Sequence, residues 1–243
     1  MSWQTVIAAA GDDNASFQES GFELPKNLIP FKKNTILGTA IQSYSHSDYT
    51  THVVIRREEA DKWGTDQIIG DYINGIKFYK IPRATRGALC SAAMTLDNLK
   101  NGIPLIVAAG DSYIKGDLEQ IIKFFIAENA AAGSILFQDS NPRWSFARVG
   151  GNSRILEMAE KSAISHFAST GLFYFRSPEL FMRATEWVLK ENMHTNGEFY
   201  LSSALNYLIM NGESVLGVEL PSTYRYIPLS TYSDLQHAKK GEG

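Results

Sequence analysis

The run Pro104-Leu-Ile-Val-Ala-Ala109 constrains the fold more than any other stretch of the chain. An extended segment with no polar side chain needs cover on both faces, the condition inside a parallel sheet flanked by helices. The segments before it alternate to suit. Residues 5–10 read as a strand, 35–43 as a helix capped by Asn34, 52–56 as a strand, 58–74 as a helix, 75–81 as a strand and 87–99 as a small-residue helix. Strands alternating with helices predict an α/β chain with a mixed, mostly parallel central sheet.

Beyond Asp111 the pattern changes. A helix over 118–129 and a strand over 134–138 precede a hairpin of 144–149 with 154–159, turning at Gly150-Gly151-Asn152. A strand at 169–175, helices at 178–191 and 200–210, a strand at 215–220 and a last helix within 230–240 follow. With no internal repeat, linker or low-complexity run, the expectation is one domain over 1–243.

Charge and cysteine usage exclude several classes. A net charge of -3 leaves no basic footprint for nucleic acid or an anionic membrane, so neither is expected as a partner. No apolar run has the length of a membrane span, and the first residues lack the basic and apolar regions of a leader, so a cytoplasmic protein is expected. The one cysteine, Cys90, rules out an internal disulfide and a multi-cysteine zinc site, and reads as a small core residue. The five histidines are scattered, with no pair at metal-ligand spacing.

Three constellations could carry chemistry. The first strand ends at Ala10-Gly11, and a polar loop with Ser16 leads to Pro25-Lys26. Glycine lets the backbone approach a phosphate and lysine supplies a point charge, although Asp12 and Asp13 have the wrong sign for a triphosphate. Asp111 follows the fourth strand, where a carboxylate can hold a hard cation or cap a turn. Glu160-Lys161 follows the hairpin, as ligand contacts or as a solvated charge pair.

Together with Thr85-Arg-Gly-Ala88, Asn141-Pro-Arg-Trp-Ser-Phe-Ala147, Thr170-Gly-Leu-Phe-Tyr174 and Asn196-Gly-Glu-Phe-Tyr200, these stretches form a collinear set. In that set the chain resembles the sugar-phosphate nucleotidyltransferases, the NDP-sugar pyrophosphorylases of Rossmann-like, GT-A-type fold, and most of all a bacterial branch associated with capsule or lipopolysaccharide. The resemblance implies that an NTP and a sugar 1-phosphate combine to an NDP-sugar and pyrophosphate, with Mg2+ as cofactor. The nucleotide-binding half would span about 1–115 and the sugar-phosphate half about 116–243. Lys26 and Asp111 would be catalytic, with Asp111 the metal ligand. Ala10, Gly11, Ser16, Thr85 and Gly87 would bind the nucleotide, and Glu160, Lys161, Thr170 and Gly171 the sugar phosphate. A homo-oligomer is left open.

The chain departs from the family pattern in three places. The loop from Gly11 to Ser16 is one residue longer than usual, with Ser16 where an arginine is expected; each lost charge-assisted hydrogen bond is worth roughly 1.5–3 kcal/mol. Residues 226–231 offer no second metal carboxylate, and Arg86 stands where close relatives often carry an acid. Arg83 or Arg86 is then a candidate for the missing positive charge. An alternative reading is a nucleotidyltransferase-like protein that has lost catalysis and binds a sugar nucleotide or a protein partner.

Overall fold

The computed structural model describes residues 2–11 and 14–241. Strand β1 (Gln4–Ala8) is followed by a short helix α1 (Ala15–Gln18), a small hairpin of β2 (Pro30–Phe31) and β3 (Asn34–Thr35), and helix α2 (Ile36–Tyr44). Strand β4 (Thr51–Arg56) leads through α3 (Arg57–Trp63) and α4 (Thr65–Gly70) to β5 (Ile76–Ile81), and α5 (Ala88–Ala93) precedes β6 (Leu105–Ala109). The second half opens with β7 (Ser112–Lys115), α6 (Leu118–Ala127), β8 (Ala132–Gln138), β9 (Ser145–Val149) and β10 (Ile155–Glu160). It continues with β11 (Phe167–Phe175), α7 (Pro178–Lys190), α8 (Leu201–Met210), β12 (Val215–Glu219), β13 (Arg225–Pro228) and α9 (Tyr232–Lys240).

Among the described residues the main sheet has the order β10-β9-β11-β6-β1-β4-β5, with β8 pairing β11 and β12 pairing β8. Strands β6, β1, β4 and β5 are mutually parallel, as the apolar run at 104–109 requires. Alternation across the sheet fixes two cores. Val6, Leu105 and Val107 pack with residues of α7 and α8, whereas Ile7 and Ile106 pack with Leu37 and Ile41 of α2. The fold is therefore the Rossmann-like α/β arrangement that the sequence predicts, a mixed sheet flanked by helices.

Strand β11 is the pivot between the halves. One of its edges pairs with β8. The other is shared: β6 takes residues 172–175, and β9 meets it at Ala168. Between those partners no strand among the described residues pairs with 169–171 on that edge, and Gly171 there has φ +77. A gap so placed opens beside the carboxyl ends of β1 and β6, where ligands collect in open α/β sheets.

Several local expectations give way to tertiary structure. Helix α2 is capped by Thr35, whose hydroxyl accepts from the Gly38 amide at 3.0 Å, while Asn34 accepts from the Thr35 amide. The helix expected over 58–74 is two, broken at Gly64 with φ +65. The helix expected over 87–99 ends at Ala93. The Thr95 hydroxyl then donates back to the Ala92 carbonyl at 2.8 Å, and a 3-10 turn follows. Among the described residues β7 and β13 pair only with each other, and both are too short to show a period-2 pattern. Asp12 and Asp13 lie outside the described residues.

Candidate active site

Because β1 and β6 are neighbours, their carboxyl ends bring Ala9–Gly11 beside Gly110-Asp111. A Cβ at Gly110 would lie 2.7 Å from the Ala9 Cβ and 3.0 Å from Leu37 Cδ1, so close packing requires glycine before Asp111. Across this junction the Lys26 ammonium donates to Asp111 Oδ2 at 2.7 Å, both side chains being largely buried. Burial alone would raise the Asp111 pKa. The Lys26 charge and hydrogen bond, with a further bond from Ser230, outweigh it and hold the carboxyl below its ordinary range.

The turn carrying Lys26 is fixed from two sides. Asn14 accepts from the Lys26 amide at 2.8 Å. The Asn27 side chain donates both to the Ala9 carbonyl at 2.9 Å and to Glu59 at 3.0 Å, tying the turn to the end of β1 and to α3. Burial raises the pKa of Glu59, although Asn27 and Thr65 bond its carboxylate.

One wall is the turn before α5. The Thr85 hydroxyl donates to the Gly87 carbonyl at 3.0 Å and shares a 2.7 Å hydrogen bond with Ser91. The opposite wall is built on the gap at β11. The Thr170 hydroxyl donates to the Ile135 carbonyl of β8 at 3.1 Å. Glu160, ending β10, receives Ser145 at 2.5 Å and Ser202 at 2.9 Å on the same carboxylate oxygen. Burial pushes its pKa up despite those bonds. Lys161 follows with φ +54 and its ammonium 5.3 Å from the centre of the Tyr200 ring. Its hydrogen bond to the Tyr200 hydroxyl is the main reason its pKa is raised.

Arg143 and Trp144 complete this wall. The guanidinium lies 3.9 Å from the Trp144 ring centre and binds Asp234 of α9 through both nitrogens, at 3.1 and 2.8 Å. Trp144 packs on Phe137 and Tyr226, and its indole N–H is buried with no acceptor among the described residues.

These walls enclose a cleft of about 570 Å3. The structure brings Ala10, Gly11, Lys26, Thr85, Gly87, Asp111, Glu160, Lys161, Thr170 and Gly171 to its lining, together with Trp144. Ser16 is not brought there. Phe17 buries itself in the cluster that includes Leu235, which carries Ser16 to α9, where its hydroxyl accepts from the Tyr232 amide at 3.2 Å. Arg83 and Arg86 are also absent from the lining; Arg86 donates to the Gly197 carbonyl at 3.1 Å instead. Sequence reasoning did not single out Asn14, Asn27, Glu59, Arg143, Ser145 or Tyr226. Glu59 sits in an ordinary-looking helical stretch, whereas Arg143 and Ser145 fall inside the Asn141–Ala147 motif.

A polar cleft at the carboxyl ends of parallel strands is where ligands collect in open α/β proteins. The nucleotidyl transferase family model matches residues 21–220, and the chain belongs to that family. Solved structures share the fold. A nucleoside-diphosphate-sugar pyrophosphorylase from Vibrio cholerae RC9 matches at 20% identity over 96% of this chain and 98% of that one, with a TM-score of 0.81. A UDP-glucose pyrophosphorylase complexed with UDP-glucose matches at 15% identity over 100% and 98%, with a TM-score of 0.78. No curated protein matches the chain in sequence.

Proposed function

We propose that the protein joins an NTP and a sugar 1-phosphate into an NDP-sugar, releasing pyrophosphate. One observation supports this most: side chains from distant stretches, among them Lys26, Thr85, Asp111, Glu160 and Lys161, line a single cleft. Residues of about 1–115 receive the nucleotide and those of 116–243 the sugar phosphate. Ala10 and Gly11 offer backbone to the nucleotide, and the turn at Thr85 and Gly87 receives the base. Glu160 leaves Oε1 as an acceptor for a sugar hydroxyl, Lys161 meets the acceptor phosphate, and Thr170 and Gly171 lie beneath the sugar.

The acceptor phosphate oxygen attacks the α-phosphorus in line. The bond from that phosphorus to the bridging oxygen of the β-phosphate breaks, and pyrophosphate leaves with the electron pair. The nucleophile is already an anion, so no proton needs removal and no general base is required. The Lys26 ammonium, beside Asp111 in the cleft, supplies the positive charge that the phosphates meet.

The donor set suits Mg2+ shared with the substrate. Asp111 is one ionised hard carboxylate, and Mg2+ is commonly held by one or two carboxylates plus substrate phosphates. No cluster of three or more acidic, histidine or cysteine residues gathers among the described residues. When bound, the ion neutralises phosphate charge. No helix among the described residues is long and apolar enough to cross a membrane. The NDP-sugar would serve surface polysaccharide synthesis from the cytoplasm, where NTPs are made.

A second reading, a sugar-nucleotide binder without turnover, is favoured by one observation. Ser16 lies away from the cleft, so the loop after β1 brings no side chain from that position to the phosphates. Mass spectrometry of products across five NTPs and a panel of sugar 1-phosphates with Mg2+ separates the two. An NDP-sugar product supports transfer; calorimetric binding of UDP-glucose or another sugar nucleotide with no product supports the second.

A further inference from the structure

The turn at residues 84–87 and the segment at 198–200 come from opposite halves of the cleft, yet they are sewn together. The Phe199 amide donates to the Arg86 carbonyl at 2.8 Å, and the Leu89 amide donates to the Phe199 carbonyl at 3.2 Å. Gly87, with φ +101, sits flat against this joint; a Cβ there would lie 2.4 Å from the Phe199 oxygen and 2.8 Å from its nitrogen. Arg86 closes the seam from outside, donating to the Gly197 carbonyl at 3.1 Å with its guanidinium 4.9 Å from the centre of the Phe199 ring. On either side of Phe199, Glu198 and Tyr200 line the cleft and hydrogen-bond each other, and Lys161 lies over the Tyr200 ring.

From this geometry we infer that Arg86 is a positioning residue for the acceptor. It touches neither substrate, and by clamping the 197–199 turn to the base-side turn it fixes where Glu198 and Tyr200 meet the sugar phosphate. The inference rests on the nucleotidyltransferase reading for the identity of the acceptor, whereas the clamp itself does not. The base-side turn is held by Thr85 and Ser91, and the 195–198 turn keeps its own backbone pair, so loss of the clamp frees the acceptor-side turn as a unit and spares the nucleotide wall. An exposed cation–π contact and one hydrogen bond together correspond to about a fivefold to tenfold effect.

Steady-state kinetics of Arg86→Ala, with the NTP and sugar 1-phosphate that the wild type uses best, test the inference. The acceptor KM is expected to rise about fivefold while the NTP KM stays within about twofold. Arg86→Lys, which keeps the charge over Phe199, recovers part of the loss. Equal rises in both constants, or no rise in either, overturn it. Amide hydrogen exchange of the ligand-free protein gives an arm that needs no turnover. Arg86→Ala should speed exchange at Phe199 about fivefold and leave Val107 of β6 unchanged; unchanged protection at Phe199 overturns the clamp. A wild type without turnover would count against the nucleotidyltransferase reading, and exchange would still judge the clamp.

Discussion

At the scale of single residues, the Lys26–Asp111 pair carries the electrostatics of the cleft. Lys26→Met leaves a largely buried carboxylate without its cation. Urea denaturation should show a loss of about 2–3 kcal/mol, at or below the bottom of the range for a broken buried pair because Asp111 retains some solvent and can protonate. Adding Asp111→Asn should recover most of that stability without recovering turnover. Glu160 gives a prediction in pH. Its folded pKa is raised, so the native state binds more protons than the unfolded one above the ordinary carboxylate value, and stability falls as pH rises through that window. Glu160→Gln removes that slope. In thermal melts from about pH 4 to 7 the variant should lose less stability with rising pH than the wild type. If the two curves run parallel, the burial cost assigned to this carboxylate is wrong.

Whole elements explain which features were readable. The Pro104–Ala109 run announces a buried parallel strand because its requirement for cover on both faces is local. The same holds for β1 and β4, and for the turn that joins β9 to β10. Helix breaks were less legible. Gly64 needed the αL conformation to show itself as a stop, and Thr95 ends α5 by a hydroxyl-to-carbonyl bond that competes with the helix. In the cleft, the strand-end positions followed from order along the chain, since sheet topology places β1 and β6 side by side. Ser16 failed for the opposite reason: its place is decided by Phe17 packing on a helix more than two hundred residues away, which no local pattern encodes.

Two tests belong at this scale. Ser16→Arg should leave turnover within about twofold, since the side chain faces α9, and a large gain would place it at the phosphates after all. Helix α9 is joined to the cleft through Asp234, which caps its own first turn with Thr231 and binds Arg143. Asp234→Ala should cost about 2 kcal/mol in urea denaturation. Roughly half of that is the cap and half the bidentate pair, discounted because Arg143 is more than a third exposed.

For the molecule as a whole, the sheet is a frame with two kinds of edge. The parallel quartet supplies strand ends that gather Gly11, Lys26 and Asp111. The fork at β11 supplies the gap that admits Gly171, and the β9–β10 hairpin brings Glu160 and Lys161 opposite. The seam between residues 86–89 and 199 then holds the two walls in register. Pyrophosphate release, followed for each NTP with and without sugar 1-phosphate and Mg2+, in the wild type and in Lys26→Met, tests the central claim most directly. Release should require both substrates and fall about a hundredfold or more in the variant. Release that proceeds without the sugar phosphate, or that survives loss of Lys26, would contradict it.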